Sequence, residues 1–133
     1  MQAELFAPEE YWYVSQEVRD QVTNGCGTAG WKGRLVPDTI WGLCITSACN
    51  IHDWMYTVGK DMADKEEADN VLLNNILRLI DSDKSWWGSL GVVIDIRRIR
   101  AKEYYEAVHL FGGPAFWNGK NPQVNLMTVE VKK

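Results

Sequence analysis

A carboxylate in the middle of an apolar stripe constrains this chain more than any other feature of its sequence. Asp64-Lys65-Glu66-Glu67 reads as a capping box, with Asp64 as N-cap and Glu67 as N3, and opens a predicted helix running to about Asp81. On that helix Asp69 shares a face with Leu72, Leu73, Ile76 and Ile80. Two placements satisfy such an acid. It sits at an exposed edge near the helix start, where the macrodipole favours an anion, or it is buried against a partner, because an unpaired buried carboxylate is costly.

The segment just before it offers partners. Ala48-Cys49-Asn50-Ile51-His52-Asp53-Trp54-Met55-Tyr56 reads as a short helix carrying an imidazole, a carboxylate and a phenol close together. At about 3.6 residues per turn His52 and Tyr56 lie one above the other, while Asp53 projects about 100° round from His52 and shares a stripe with Cys49 and Tyr56. Thr46 or Ser47 is the expected N-cap, and Gly59 is expected to end the helix in the left-handed conformation. Upstream, Gly25, Gly27, Gly30, Gly33 and Gly42 with Pro37-Asp38 make a long loop whose backbone can take up positive φ and turn carbonyls toward a common centre. Ordered loops of that length are uncommon unless functional.

The remaining chain supports a helical frame. Pro8 followed by Tyr11, Val14 and Val18 predicts a short N-terminal helix in the segment through Val22. Ser85-Trp86-Trp87-Gly88-Ser89 is a turn, and a long helix follows from about Val93 to Phe111, stopped by Gly112-Gly113-Pro114. Its expected core face includes Ile94, Ala101, Tyr105 and Val108, with His109 in a structural role near its C-terminus. Val124 to Val131 is one edge strand or an extended arm. The fold class is therefore all-α: one small domain over 1–133, with an N-terminal segment (1–23), a glycine-rich loop (24–46), core helices (47–112) expected to include two antiparallel partners, and an extended tail (113–133).

Charge and composition exclude several functions. A net charge of −4 and a pI near 5.1 leave no Lys/Arg cluster to neutralise a run of phosphates, so no nucleic-acid partner is expected. Arg97-Arg98-Ile99-Arg100 is the one basic knot, read as a solvated helix face. No window approaches the roughly 18 apolar residues of a spanning helix, and the N-terminus lacks the pattern of an export signal, so the chain is expected to be soluble with no transmembrane segment. Three cysteines allow at most one internal bridge and leave the compartment open. They and two histidines include no paired zinc-ligand spacing. A cysteine nucleophile would have to be Cys44 or Cys49, and Cys44, in the apolar Leu43-Cys44-Ile45 run, is expected to be an inert buried thiol.

The ordered set of glycine-rich loop, His52-Asp53-x-x-Tyr56 and Ala68-Asp69 points to a calcium-assisted hydrolase. Calcium takes six to eight oxygens, which a glycine-rich loop and Asp53 can contribute to. His52 can act as general base on a water, with Asp69 fixing its tautomer and supporting the imidazolium. The metal would polarise an ester carbonyl.

Cys26-Gly27-x-x-Gly30, Val36-Pro37-Asp38, Ala48-Cys49-x-x-His52-Asp53-x-x-Tyr56 and Ala68-Asp69, spanning roughly Asn24 to Ile80, together resemble the phospholipase A2 superfamily, nearest to its bacterial, fungal and parvoviral-type members. The resemblance implies calcium-dependent hydrolysis of the sn-2 ester of glycerophospholipids, with a phospholipid membrane surface as substrate. It implies His52 as base, Asp53 as calcium carboxylate, Asp69 bonded to the histidine, and Tyr56 bonded to Asp69 from the next turn. Loop carbonyls of Gly25, Gly27 and Ala29 or Gly30 would complete the calcium site. Cys26 and Cys49 match the pair that ties the loop to the catalytic helix in that family. Where secreted animal members carry further cysteines this chain has Ala48 and Met55, which leaves Cys44 without a partner. A second reading keeps the fold without turnover, as a lipid-binding or structural module. With a negative chain, adsorption to bilayers must rest on aromatic side chains, and of Trp31, Trp41, Trp86 and Trp87 at least one is expected to be exposed beside the pocket.

Overall fold

The structure, a computed structural model, describes residues 4–22 and 39–117. In chain order its elements are α1 (Glu9–Tyr13), α2 (Gln16–Val22), β1 (Thr39–Ile40), β2 (Leu43–Cys44), α3 (Thr46–Val58), α4 (Met62–Ser82), α5 (Gly91–Phe111) and α6 (Gly113–Trp117). The fold is mainly helical. Gly25, Cys26, Gly27, Ala29, Gly30 and Trp31 of the expected calcium loop, and the tail from residue 118, lie outside the described residues.

α3 and α4 form a helical hairpin, and their apolar spacing explains why. Ala48 and Cys49, early in α3, share a buried cluster with Leu72, Ile76 and Ile80, late in α4. Met55 and Tyr56, late in α3, share another with Ala68, early in α4. α5 closes the first cluster with Ala101 and Val108. Tyr11 of α1 and Phe116 of α6 close the second. The Asp69 stripe is thus the inner face of α4, buried by two neighbouring helices.

The helix ends differ from expectation in instructive ways. α4 begins earlier: Asp61, not Asp64, is the N-cap, its carboxylate accepting from Asp64 N at 2.9 Å. Asp64, at N3, accepts from the backbone N–H of Lys60, one residue before the N-cap, at 2.8 Å, so the capping bonds lie three residues upstream of the predicted ones without closing the reciprocal box. Neither Thr46 nor Ser47 caps α3; Ile45 occupies that position without a side-chain bond. Gly59 ends α3 in an extended conformation with φ −67°, not a left-handed one. The N-terminal helix is two helices, broken at Val14–Ser15, and Val18 is exposed rather than part of the core. On α5, Ala101 and Val108 are buried as expected, while Tyr105 is half-buried and Val93 and Arg97 take core positions not foreseen. The expected tail from 113 opens with α6, whose Phe116 is fully buried.

The expected loop 24–46 contains a hairpin at its end. Thr39 pairs with Cys44 and Ile40 with Leu43, joined by Trp41 and Gly42 at φ 47° and 81°. Positive φ at both central residues is the requirement of a tight primed turn, easy for Gly42 and strained for a tryptophan. Tertiary bonds hold it: Arg97 Nη2 donates to Trp41 O at 2.8 Å, and Trp87 Nε1 donates to the same oxygen at 3.4 Å. Arg97 is only 1% exposed and ion-paired with Asp83 at 2.7 Å, which corrects the reading of a wholly solvated basic face; Arg98 and Arg100 do remain exposed. Cys44 is also corrected. It is free and exposed, its thiol 3.4 Å from Thr46 Oγ1, because β2 turns it outward.

Candidate active site

Helix register brings the reactive side chains together. His52 and Tyr56, one turn apart on α3, have ring centroids 4.0 Å apart. Across the hairpin His52 Nε2 lies 2.9 Å from Asp69 Oδ1, and Tyr56 Oη donates to the same oxygen at 2.7 Å. Lys65, one turn before Asp69 on α4, donates from Nζ to Asp69 Oδ2 at 2.9 Å. The same ammonium donates to the carbonyls of Val108 and His109, in the last turn of α5, at 3.0 and 3.2 Å. Three helices therefore meet at one carboxylate. Asp69 is 0% exposed, His52 4% and Lys65 3%, so of the two placements open to Asp69 the buried, paired one holds. His109 stands at the margin, its Nδ1 4.0 Å from Asp69 Oδ2 and its side chain partly open to solvent.

Burial by itself would raise the Asp69 pKa, but the bonds from His52, Lys65 and Tyr56 outweigh it and hold the carboxyl below its usual 3.8. Burial holds the His52 imidazole below its usual 6.5, against the hydrogen bond and charge of Asp69 that pull it upward. Burial also pushes the Tyr56 phenol far above 10.0, with Asp69 reinforcing the shift, so Tyr56 stays a donor. An ionised carboxylate only accepts, hence Nε2 of the neutral imidazole carries the hydrogen and Nδ1 keeps the lone pair. In this tautomer Nδ1 is the ring nitrogen that keeps its lone pair for an acceptor role.

A pH dependence of stability follows. The unfolded His52 gains a proton as pH falls through about 6.5 and the folded one resists it, so its stabilising contribution is present above that value and is lost progressively below it. Asp69 acts with the same sign lower down, its contribution being lost as pH falls below about 3.8 toward the depressed folded value. The thermal midpoint should fall steadily from about pH 6.5 downward, and His52→Gln should remove the early part of that fall. A wild-type midpoint that stays level between about pH 6.5 and about pH 5 would contradict the desolvated imidazole.

Comparison with protein families, curated proteins and solved structures returns no match.

Asp53 follows His52 on the adjoining face of α3, where it is half-buried. Its carboxylate is the hard oxygen donor that calcium takes, which fits the role implied for it. Among the described residues no group of three or more His, Cys, Asp or Glu side chains could hold a metal ion, and the carbonyls named for the calcium site, those of Gly25, Gly27, Ala29 and Gly30, fall outside them. Cys49 is disulfide-bonded, and the Cys26 implied as its partner also lies outside.

Two residues of the site were not foreseen. Lys65 stands four residues before Asp69 on the same stripe, a signal visible in the sequence but absorbed there into a capping box. Gly112 gives Tyr56 its room, since a Cβ at that position would lie 2.5 Å from Tyr56 Oη. Nothing in the sequence distinguishes that duty from an ordinary helix stop.

Proposed function

We propose that this chain hydrolyses the sn-2 ester of glycerophospholipids in a calcium-dependent reaction, releasing fatty acid and lysophospholipid, on a phospholipase A2-like helical frame. The observation that carries this reading is the His52 Nε2 to Asp69 Oδ1 bond of 2.9 Å, with Tyr56 anchoring the same carboxylate. His52 Nδ1 takes a proton from water as the water oxygen attacks the ester carbonyl carbon. Asp69 stabilises the resulting imidazolium, and the proton passes to the departing lysophospholipid oxygen as the ester bond breaks. Calcium would be held by Asp53 with carbonyls of Gly25, Gly27 and Ala29 or Gly30, and supplies positive charge to the ester oxygen as it becomes anionic.

The alternative, a lipid-binding or structural module without turnover, draws on a specific observation: among the described residues His52 is nearly enclosed and does not line the cavity of about 590 Å³. Fatty-acid release from mixed phospholipid vesicles separates the two. Release in calcium should fall to background when a chelator is added. Vesicle binding with no release under either condition would favour the silent module, and release indifferent to the chelator would remove calcium from the reaction.

A lipid surface as partner is supported by the tryptophans. Trp86 is 78% exposed, Trp41 44% and Trp87 40%, and Trp41 stacks on Trp87 with centroids 6.2 Å apart. At least one exposed tryptophan was expected and these three are exposed; Trp31 lies outside the described residues. Trp86→Ala should lower hydrolysis of vesicles more than hydrolysis of a soluble short-chain ester. Equal losses on both substrates would assign Trp86 to support of the fold.

A further inference from the structure

The 590 Å³ cavity lies on a different face of α4 from Asp69. Its α4 residues, Asp64, Glu67, Asn70, Val71 and Asn74, fall roughly 100–220° round the helix from the Asp69 direction. Its volume is within the roughly 300–1,000 Å³ typical of small-molecule sites. Pro8, Met55, Val58 and Val71 give it apolar walls, and Phe6 forms one end.

That end is rigidly built. The fully buried Asn75 accepts from Phe6 N at 2.7 Å and donates to Phe6 O at 2.8 Å, pairing with the backbone as a neighbouring strand would. Arg78 covers the Phe6 ring at 4.2 Å and donates to Glu4 O at 3.1 Å. The N-terminal segment is thereby tied to α4 beside the cavity.

The polar side chains around it are two carboxylates, Asp64 and Glu67, and two amides, Asn70 and Asn74; no basic side chain lines it among the described residues. Glu67 and Asn70 are exposed at the rim. An apolar interior with an acidic mouth is complementary to an aliphatic chain that ends in a cation, and it disfavours the same chain ending in an anion. The geometry points to a second ligand site, separate from the His52 centre, that binds an amphiphile with an ammonium head, the chain on Met55 and Val71 and the head at Asp64 and Glu67. It does not depend on the hydrolase reading.

The test uses decyltrimethylammonium, decyl sulfate and decanol, each below its micelle concentration, titrated into the full chain by calorimetry. The cation should bind at one saturable site, about ten-fold more tightly than the sulfate. Glu67→Gln should weaken the cation roughly three-fold and leave decanol unchanged, the size expected for one solvent-exposed charge. Val71→Trp, which fills the interior, and Asn70→Trp, which blocks the mouth from an exposed position, should each abolish binding of all three. Equal affinity for cation and sulfate, or undiminished binding to a folded Asn70→Trp variant, would overturn the assignment.

Discussion

Under the proposed hydrolase reading, a His52→Gln variant is expected to fold and to lose phospholipid hydrolysis by at least about 100-fold, the lower range of what a general base contributes. Glutamine is close to histidine in volume, and its side-chain amide can donate to Asp69 Oδ1, where His52 Nε2 now lies at 2.9 Å. It cannot take a proton from water. The buried cluster around α3 is left intact, so the thermal midpoint near neutral pH should move little while turnover disappears. Fatty-acid release from vesicles and thermal unfolding, measured on the same preparation, check both halves. Activity above about a tenth of wild type would sink the assignment of the base.

Lys65→Met is expected to have the largest effect on stability of any single change at the site, about 3–5 kcal/mol. Methionine preserves much of the apolar stem but removes the ammonium 2.9 Å from Asp69 Oδ2 and the donor to Val108 O and His109 O. Breaking a buried pair from one side leaves the other charge desolvated and uncompensated, which is why the loss exceeds that of a surface ion pair, about 0–1 kcal/mol. Chemical denaturation of the variant gives the value directly. Adding Asp69→Asn to Lys65→Met should recover part of the loss, because the stranded charge is then gone. A loss below about 1 kcal/mol would mean that water screens the pair and that α5 is seated by its apolar contacts alone.

These expectations rest on features that differ in how far the amino-acid order alone reveals them. That His52 and Tyr56 would share a face of one helix, and Asp69 an apolar stripe of another, followed from helical spacing, which is a local property. The helical character of 46–58, 62–82 and 91–111 followed in the same way, from apolar periodicity and turn residues. The caps were less legible. Asp61 and Asp64 both carry the right chemistry, and the structure gives the N-cap to Asp61 with Asp64 one turn in.

Tertiary structure alone decided the partners. Lys65 reads only as part of a capping box until α5 supplies the carbonyls of Val108 and His109, 43 and 44 residues away. Arg97 reads as one of a solvated basic group until Asp83 and the Trp41 carbonyl meet it, and Trp41 keeps its positive φ because that bond holds it there. Spacing along one helix tells which side chains face the same way. Which buried charge is neutralised, and by what, is set by donors and acceptors distant in the chain, because the desolvation of a charge can be offset only by groups that packing brings within hydrogen-bond reach.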